Sequence, residues 1–559
     1  MNTNKNPFTY EAANNLSLEE IKNLYIDVEK SKFLTSQKNI FIEGHRGSGK
    51  SMLLKYNSID MKYQQNKSLE FIGVYVSCQT PLFFKREYEL LSEEFQANIT
   101  AEHMLVLVMT ESLICSIEKN NILDSSNESK FIKEINFYLD LDENISNIEH
   151  FKGLIKKEIN DIQRNSLKSP EIFYTKSHTY SSLILPIIDS LKSTEKLKDS
   201  HFSFFIDDAQ NLSEHQRKVL HSWVSFRDTT DTSFKIAITS QREYLFHTGS
   251  NDIILEDHDY MMISLEKEFF GNETGFYIFA QQVIEKRLSR CGISKDVKEF
   301  FPQHSKFIKD IDEISRKFIN GDCEEQKNKT KEQRRASVSK YKRAIWFRKK
   351  LSEHKANLPS IAYTGFNTLA NISTGVIRNL LIPVSKMYDK EHKGNKIHSI
   401  EPKIQYEILK EESKSKWEYI DNLSNRITGC DKETAKRIHN FLKSFGVIIR
   451  GRLLDTASSE KRILTFTIEK LDNSEQKEEI YQVLDMAQKS GLLYSRIGSG
   501  KDTNRTIWYT PNRILWVDLG LDTEGQNGKI NITPDNFYAM MKKEIKQQSS
   551  NQGVLFHEE

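Results

Sequence analysis

A lysine beside a glycine-rich turn and a pair of aspartates are the residues of this chain best placed to do chemistry. The run Gly44-His45-Arg46-Gly47-Ser48-Gly49-Lys50-Ser51 has the spacing G-x-x-x-x-G-K-S. Glycines at these positions let backbone N–H groups wrap phosphate oxygens, and a helix that follows aims its positive end at them. Lys50 would then reach the β- and γ-phosphates of a nucleoside triphosphate, and the Ser51 hydroxyl would ligate magnesium. The expected nucleotide contacts are Gly44, His45, Arg46, Gly47, Ser48, Gly49, Lys50, Ser51 and Met52. In FSFFIDDAQ, Asp207 ends an apolar run and is expected, on a strand beside the loop's own, to hold the magnesium through water. Asp208 stands where a carboxylate could activate the attacking water, with an arm one methylene shorter than glutamate.

These residues need a scaffold. KNIFIE leads into the glycine-rich loop, and residues 51–59 continue at helical spacing, which predicts strand, loop, helix. FIGVYVS, FSFFI and FKIAIT predict three more buried strands, at Phe71–Ser77, Phe202–Ile206 and Phe234–Thr239. Short apolar strands separated by helical stretches indicate a parallel α/β sheet, here an α/β P-loop NTPase. Between the second and third strands lie about 120 residues of helical character, longer than a crossover needs, which predicts a helical insertion over about 82–200. The fourth strand ends in Thr239-Ser240, so Ser240 could stand between the γ-phosphate and Asp208. In NISTGVIRNLL, Ser373-Thr374-Gly375 opens a helix carrying Arg378, which could fold over the γ-phosphate from a lid. Arg227 and Arg242 are candidates for a finger into a neighbouring copy's site.

After about residue 265 the strand signals fade, and a helical lid is expected over 265–395. Residues 321–350 carry 11 Lys/Arg against 4 Asp/Glu, read as a solvated helix or loop that could also touch nucleic acid. From 396 to 559 one or two winged-helix-like units are expected. DKETAKRIHNFLKSFGVIIRGRLL reads as a helix ending near Phe445-Gly446 and running into a strand, with KRILTFTIEK as its partner. A second helix precedes LLYSRI, the polar turn GSGKDTN, and RTIWYT, which is a β-hairpin pattern. Arg496, Lys501, Arg505 and Arg513 lie on or near this hairpin, interleaved with Tyr494, Trp508 and Tyr509, and could grip double-stranded DNA. The other reading packs the aromatics inward and uses the module for protein contacts.

At these residues the chain resembles the AAA+ ATPases, most closely bacterial ATPases of the origin-recognition/Cdc6-like group. The resemblance rests on NPF near the start, NIFIEGHRGSGKSMLLKY, IGVYVSCQTP, FFIDDAQNLSEHQRKVLHSWVSFRD, FKIAITSQ and TGVIRNLL, and covers roughly residues 5–390 and more loosely the C-terminal third. It implies an AAA+ core over 1–264, a sensor residue at Ser240, a lid bearing the second sensor arginine, Arg378, and a winged-helix region that can touch DNA. The long spacing from Lys50 to Asp207 and the aspartate at 208 depart from the family pattern.

The 80 Lys/Arg nearly balance 78 Asp/Glu, so bulk charge neither selects nor excludes nucleic acid. The five cysteines are widely spaced, with no CxxC pair, which disfavours a zinc site or a disulfide framework. No signal peptide and no apolar run long enough to cross a bilayer are read, so a cytoplasmic protein is expected. No guanine-selective NKxD motif, ABC signature or helicase motif set is apparent, which disfavours other P-loop classes; ATP with magnesium is expected from the loop itself. A nucleotide-dependent switch on DNA or a partner protein leads, with a homo-oligomer as a possible form. A STAND-like signalling NTPase, whose C-terminal region recruits protein, and a non-hydrolysing scaffold stay open.

Overall fold

The computed structural model describes residues 6–543 apart from 10, 11, 28, 85, 86, 91–93, 140–143, 166–176, 226–230, 240–243, 267–272, 326, 353–359, 393–398, 456–462, 498–505 and 525–528. The backbone divides into two units: Glu11–Gly44 with Gly49–Phe269, and Met1–Tyr10 with His45–Ser48 and Phe270–Glu559.

The first unit is built on a five-stranded parallel sheet, β1 (Ile40–Glu43), β2 (Phe71–Ser77), β3 (His201–Asp207), β4 (Thr232–Ile238) and β5 (Met261–Ser264). The strand order is β2-β3-β4-β1-β5. All seven residues of β3 are buried, as a strand covered on both faces requires. One face packs Phe41, Val74, Phe204 and Ile236 against Met104, Leu105, Val108 and Met109 of the helix Glu94–Lys119. The other packs Ile40, Ile42, Phe205 and Ala237 against Leu53 and Leu54 of the helix Lys50–Asn57.

Two expectations need correction here, and one strand was not predicted. β5 has no strong sequence signal, because MMIS is short and only half-buried at every position; it is read from its pairing to β1. The acidic strand is not beside the loop's strand: β4 lies between β1 and β3. The helix Glu94–Lys119 is also long and apolar enough to cross a membrane, although most of it is buried in the core. The expected insertion between β2 and β3 contains this helix, Ser125–Tyr138, Ile148–Asn165 and Leu185–Lys192.

The second unit joins the helices that follow residue 270 to a four-stranded sheet of order β7-β8-β6-β9. Its strands are β6 (Phe466–Ile468), β7 (Leu493–Ile497), β8 (Ile507–Pro511) and β9 (Ile530–Ile532). β7 and β8 form an antiparallel hairpin that follows the helix Lys477–Lys489. The expected strand at VIIRGRLL is instead the end of one helix, Lys432–Leu454. Gly446 is not its stop. A Cβ there would meet Leu519 Cδ1 at 3.1 Å and Trp516 Cζ3 at 3.4 Å, so the glycine allows close packing, while Phe441, Phe445, Ile449 and Leu453 keep helical spacing on the buried face.

The basic helix Lys331–Ser352 is only partly solvated. Arg343 is 6% exposed and pairs with Asp522 at 2.8 Å and Glu524 at 3.1 Å. Burial alone would lower the Arg343 pKa, but the two carboxylates outweigh it and hold it raised. With Tyr363 Oη donating to Leu521 O at 2.7 Å, this ion triad ties the expected lid to the segment that precedes β9, inside one unit.

Candidate active site

β1 delivers the chain into the glycine-rich loop, where Gly44 N donates to Ile238 O of β4 at 3.2 Å and Ser48 N to His45 O at 3.1 Å. Gly47 (φ +91°) and Gly49 (φ +103°) both take left-handed backbone, which favours glycine. Gly49 caps the helix Lys50–Asn57, whose first-turn amides have no partner within the helix. Lys50 is 5% exposed, and its Nζ donates to Gly44 O at 2.6 Å. Its ammonium is thus held at the carbonyl that opens the loop. Gly44 is buried, Ser51 and Met52 are half-buried, and Arg46 is exposed.

Asp207 ends β3, fully buried. Its Oδ2 accepts from Tyr75 Oη at 2.7 Å, while Oδ1 has no partner of hydrogen-bond geometry among the described residues. Burial, then the neighbouring Asp208, push the Asp207 pKa up; nearby Ser51, Tyr75 and Lys50 oppose them. Ser48 Oγ and Thr239 Oγ1 are likewise buried without a partner. A buried carboxylate oxygen without a partner, beside a serine hydroxyl and a lysine, fits a hydrated magnesium ion carried in on phosphates. Ser51 and Asp207 are the residues that would hold it.

Asp208 follows in left-handed backbone, φ +57°, an uncommon conformation that marks functional turns. Gln79 Nε2 donates to its Oδ2 at 2.6 Å, and Gln210 Nε2 to its Oδ1 at 2.9 Å. Gln210 also accepts from Thr239 N at 3.2 Å, linking the ends of β3 and β4. Tyr75, Gln79 and Gln210 were not among the expected site residues. Their signal was position: Tyr75 and Gln79 lie at the end of β2, and Gln210 follows the acids by two residues.

Arg378 opens the helix Ile377–Glu391 after a turn in which Thr374 (φ +56°) and Gly375 (φ +79°) are left-handed. A Cβ on Gly47 would lie 2.8 Å from Arg378 Cβ and 3.0 Å from its Nε, so the arginine stem rests on the loop glycine. A cation in the first turn of a helix opposes the helix dipole, which makes this an uncomfortable place for a merely structural arginine. Ser240, Arg227 and Arg242 lie outside the described residues, as do Lys501, Arg505 and the turn GSGKDTN.

On the C-terminal hairpin, Arg496 faces Trp508 across the strands, its guanidinium 5.0 Å from the ring centroid, with Lys529 Nζ at 5.6 Å. Tyr494 and Tyr509 are buried, so they are not stacking platforms. Arg513 is half-buried and turns away from Arg496, its guanidinium donating to Asn371 Oδ1 at 3.2 Å. The expected cluster of cations interleaved with aromatics therefore reduces, among the described residues, to Arg496 and Trp508 with Lys529.

A glycine-rich loop after β1, an acid pair at the end of β3 and an intervening β4 in an all-parallel sheet are the arrangement of an α/β P-loop NTPase. The chain belongs to the ORC-CDC6-like family, whose model matches residues 6–532. The family is one of nucleotide-dependent AAA+ ATPases. No curated protein matches the chain.

Proposed function

We propose that the chain binds ATP with magnesium, hydrolyses it slowly, and uses the cycle as a switch on double-stranded DNA. The observation that carries this is Asp207: a buried carboxylate within hydrogen-bond reach of Ser51 and near Lys50, whose Oδ1 has no partner of full hydrogen-bond geometry among the described residues. Lys50 neutralises the β- and γ-phosphates, Ser51 and Asp207 hold the magnesium, and Arg378 covers the γ-phosphate. Ser240 is the sensor between phosphate and water. Asp208 is the base, and turnover is slow because Gln79 and Gln210 occupy both its oxygens and its arm is short. The core is assigned to 1–264, the lid to 265–395, and a winged-helix-like region to 396–559. There Arg496, Lys501 and Arg505 bind DNA phosphates, while the Arg513 guanidinium is taken by Asn371.

Magnesium-dependent phosphate release by the full chain tests the ATPase reading: activity should fall at least about tenfold in Asp208→Asn, and equal rates remove Asp208 as the base. Filter binding of duplex DNA across a salt series tests the other half. Lys501→Ala with Arg505→Ala should weaken binding across all sequences and flatten the salt slope by roughly one to two units. Absence of DNA binding at low salt, with and without ATP, would leave the STAND-like reading. That reading draws support from the inward packing of Tyr494 and Tyr509, which leaves less surface for bases. Its partner is then a protein or a second copy of the chain.

A further inference from the structure

We propose that Tyr494 is a positioning residue for the loop tip and for Arg378, so that ATP affinity depends on the C-terminal hairpin; this rests on the nucleotide site proposed above. Tyr494 lies on β7, in the same unit as His45–Ser48, and is 7% exposed. Its ring meets the His45 imidazole edge-on, with centroids 4.9 Å apart at 68°. Its hydroxyl accepts from Asn379 Nδ2 at 2.7 Å and Asn512 Nδ2 at 3.3 Å, and donates to Gly491 O at 3.1 Å. One side chain thus joins the nucleotide loop, the residue next to Arg378, and the start and end of the hairpin.

The turn that aims Arg378 is held from the same side. Asn379 Nδ2 donates to Ser373 O at 3.1 Å, and Arg513 N donates to Thr374 Oγ1 at 2.9 Å. Arg513 reaches the helix before the turn through Asn371. Gly47 rests against the Arg378 stem, so the loop tip touches this assembly twice, at His45 and at Gly47. Burial raises the Tyr494 phenol to about 12, against Asn379, Arg378 and Asn512, which lower it; the phenol stays neutral and keeps its hydrogen for Gly491. A tyrosine serving only as core would need no such set of partners, and phenylalanine would fill its volume.

The consequence is thermodynamic. If Tyr494 fixes where Arg378 and His45 stand, a ligand that shifts β7 changes ATP affinity, and ATP changes that ligand's affinity by the same factor. Arg496 lies two residues along β7 and is exposed, so the hairpin offers such a ligand a handle.

Titration calorimetry with ATP and with ADP, both with magnesium, on the full chain tests this. Tyr494→Phe keeps the ring against His45 and deletes the hydroxyl. It should weaken ATP about fivefold, the worth of one net hydrogen bond, and ADP less than about twofold, because Arg378 reads the γ-phosphate. Asn379→Ala should give the same ATP-selective loss, and Tyr494→Phe should add nothing to Arg378→Ala. Unchanged ATP affinity in both variants, equal losses for ATP and ADP, or full additivity with Arg378→Ala would overturn the proposal. Absence of ATP binding to the wild type would instead overturn the nucleotide site itself.

Discussion

The two edges of the five-stranded sheet treat buried polar atoms in opposite ways. At the edge where the strands begin, Lys235, His201 and Asn39 are matched. Lys235 Nζ donates to Ser36 O at 2.8 Å, Lys38 O at 2.6 Å and Ser233 Oγ at 3.0 Å. His201 Nε2 meets Ser233 Oγ at 2.8 Å. Asn39 gives its amide to Val224 O at 3.1 Å and takes Phe234 N at 3.0 Å. At the edge where the strands end, Asp207 Oδ1 and Thr239 Oγ1 are buried without partners among the described residues. An unmatched buried polar atom costs about 1–3 kcal/mol, so one edge spends folding energy that the other does not. The difference separates a structural network from a site built for a ligand that brings its own charges.

The sharpest way to break this contrast is to relieve the costly edge. Asp207→Asn should abolish magnesium-dependent hydrolysis, by at least about 100-fold, because a neutral amide cannot hold the hydrated cation. The same change should raise the melting temperature without nucleotide by about 2–4 °C, since burial penalises the charged carboxylate. A fall in both activity and stability would mean that Asp207 is a structural acid.

The satisfied edge should answer to pH instead. Burial lowers the Lys235 pKa to about 7 from 10.5. Between these values the unfolded chain carries the extra proton, so stability rises with pH across that window. Denaturant unfolding of the first unit should gain about 2 kcal/mol between pH 7.5 and 9. Lys235→Met should remove that slope and leave ATP affinity within about twofold. Two smaller effects sharpen the ligand side. Asp208→Glu should raise turnover a few-fold, about 2- to 5-fold, if arm length limits water activation. Arg496→Ala should weaken DNA binding about 2- to 3-fold, one phosphate contact's worth at moderate salt; stronger loss would make Arg496 the centre of the surface.

The first unit was largely legible because its signals are local. Four apolar runs marked four strands, glycine spacing marked the loop, and an apolar run ending in Asp207-Asp208 marked the acid edge. What was hidden depends on partners distant in sequence. β5 is a strand only through its pairing with β1, and Gln79 meets Asp208 across 129 residues. Gly446 read as a helix stop because glycine usually weakens helices, whereas close packing against Trp516 and Leu519 explains it. On the hairpin, the sequence pattern put Tyr494, Arg496, Trp508 and Tyr509 on the two strands, but it could not say that Asn379 would claim the Tyr494 hydroxyl or Asn371 the Arg513 guanidinium.

The central claim is that the loop at Gly44–Ser51 binds ATP with magnesium, and equilibrium binding to the wild type and Lys50→Ala tests it most directly. The wild type should bind ATP more tightly with magnesium than without it. Lys50→Ala, whose fold should persist by circular dichroism, should lose at least about 100-fold in affinity, because the point charge at the β- and γ-phosphates is gone. Equal ATP affinity in the two proteins would contradict the site.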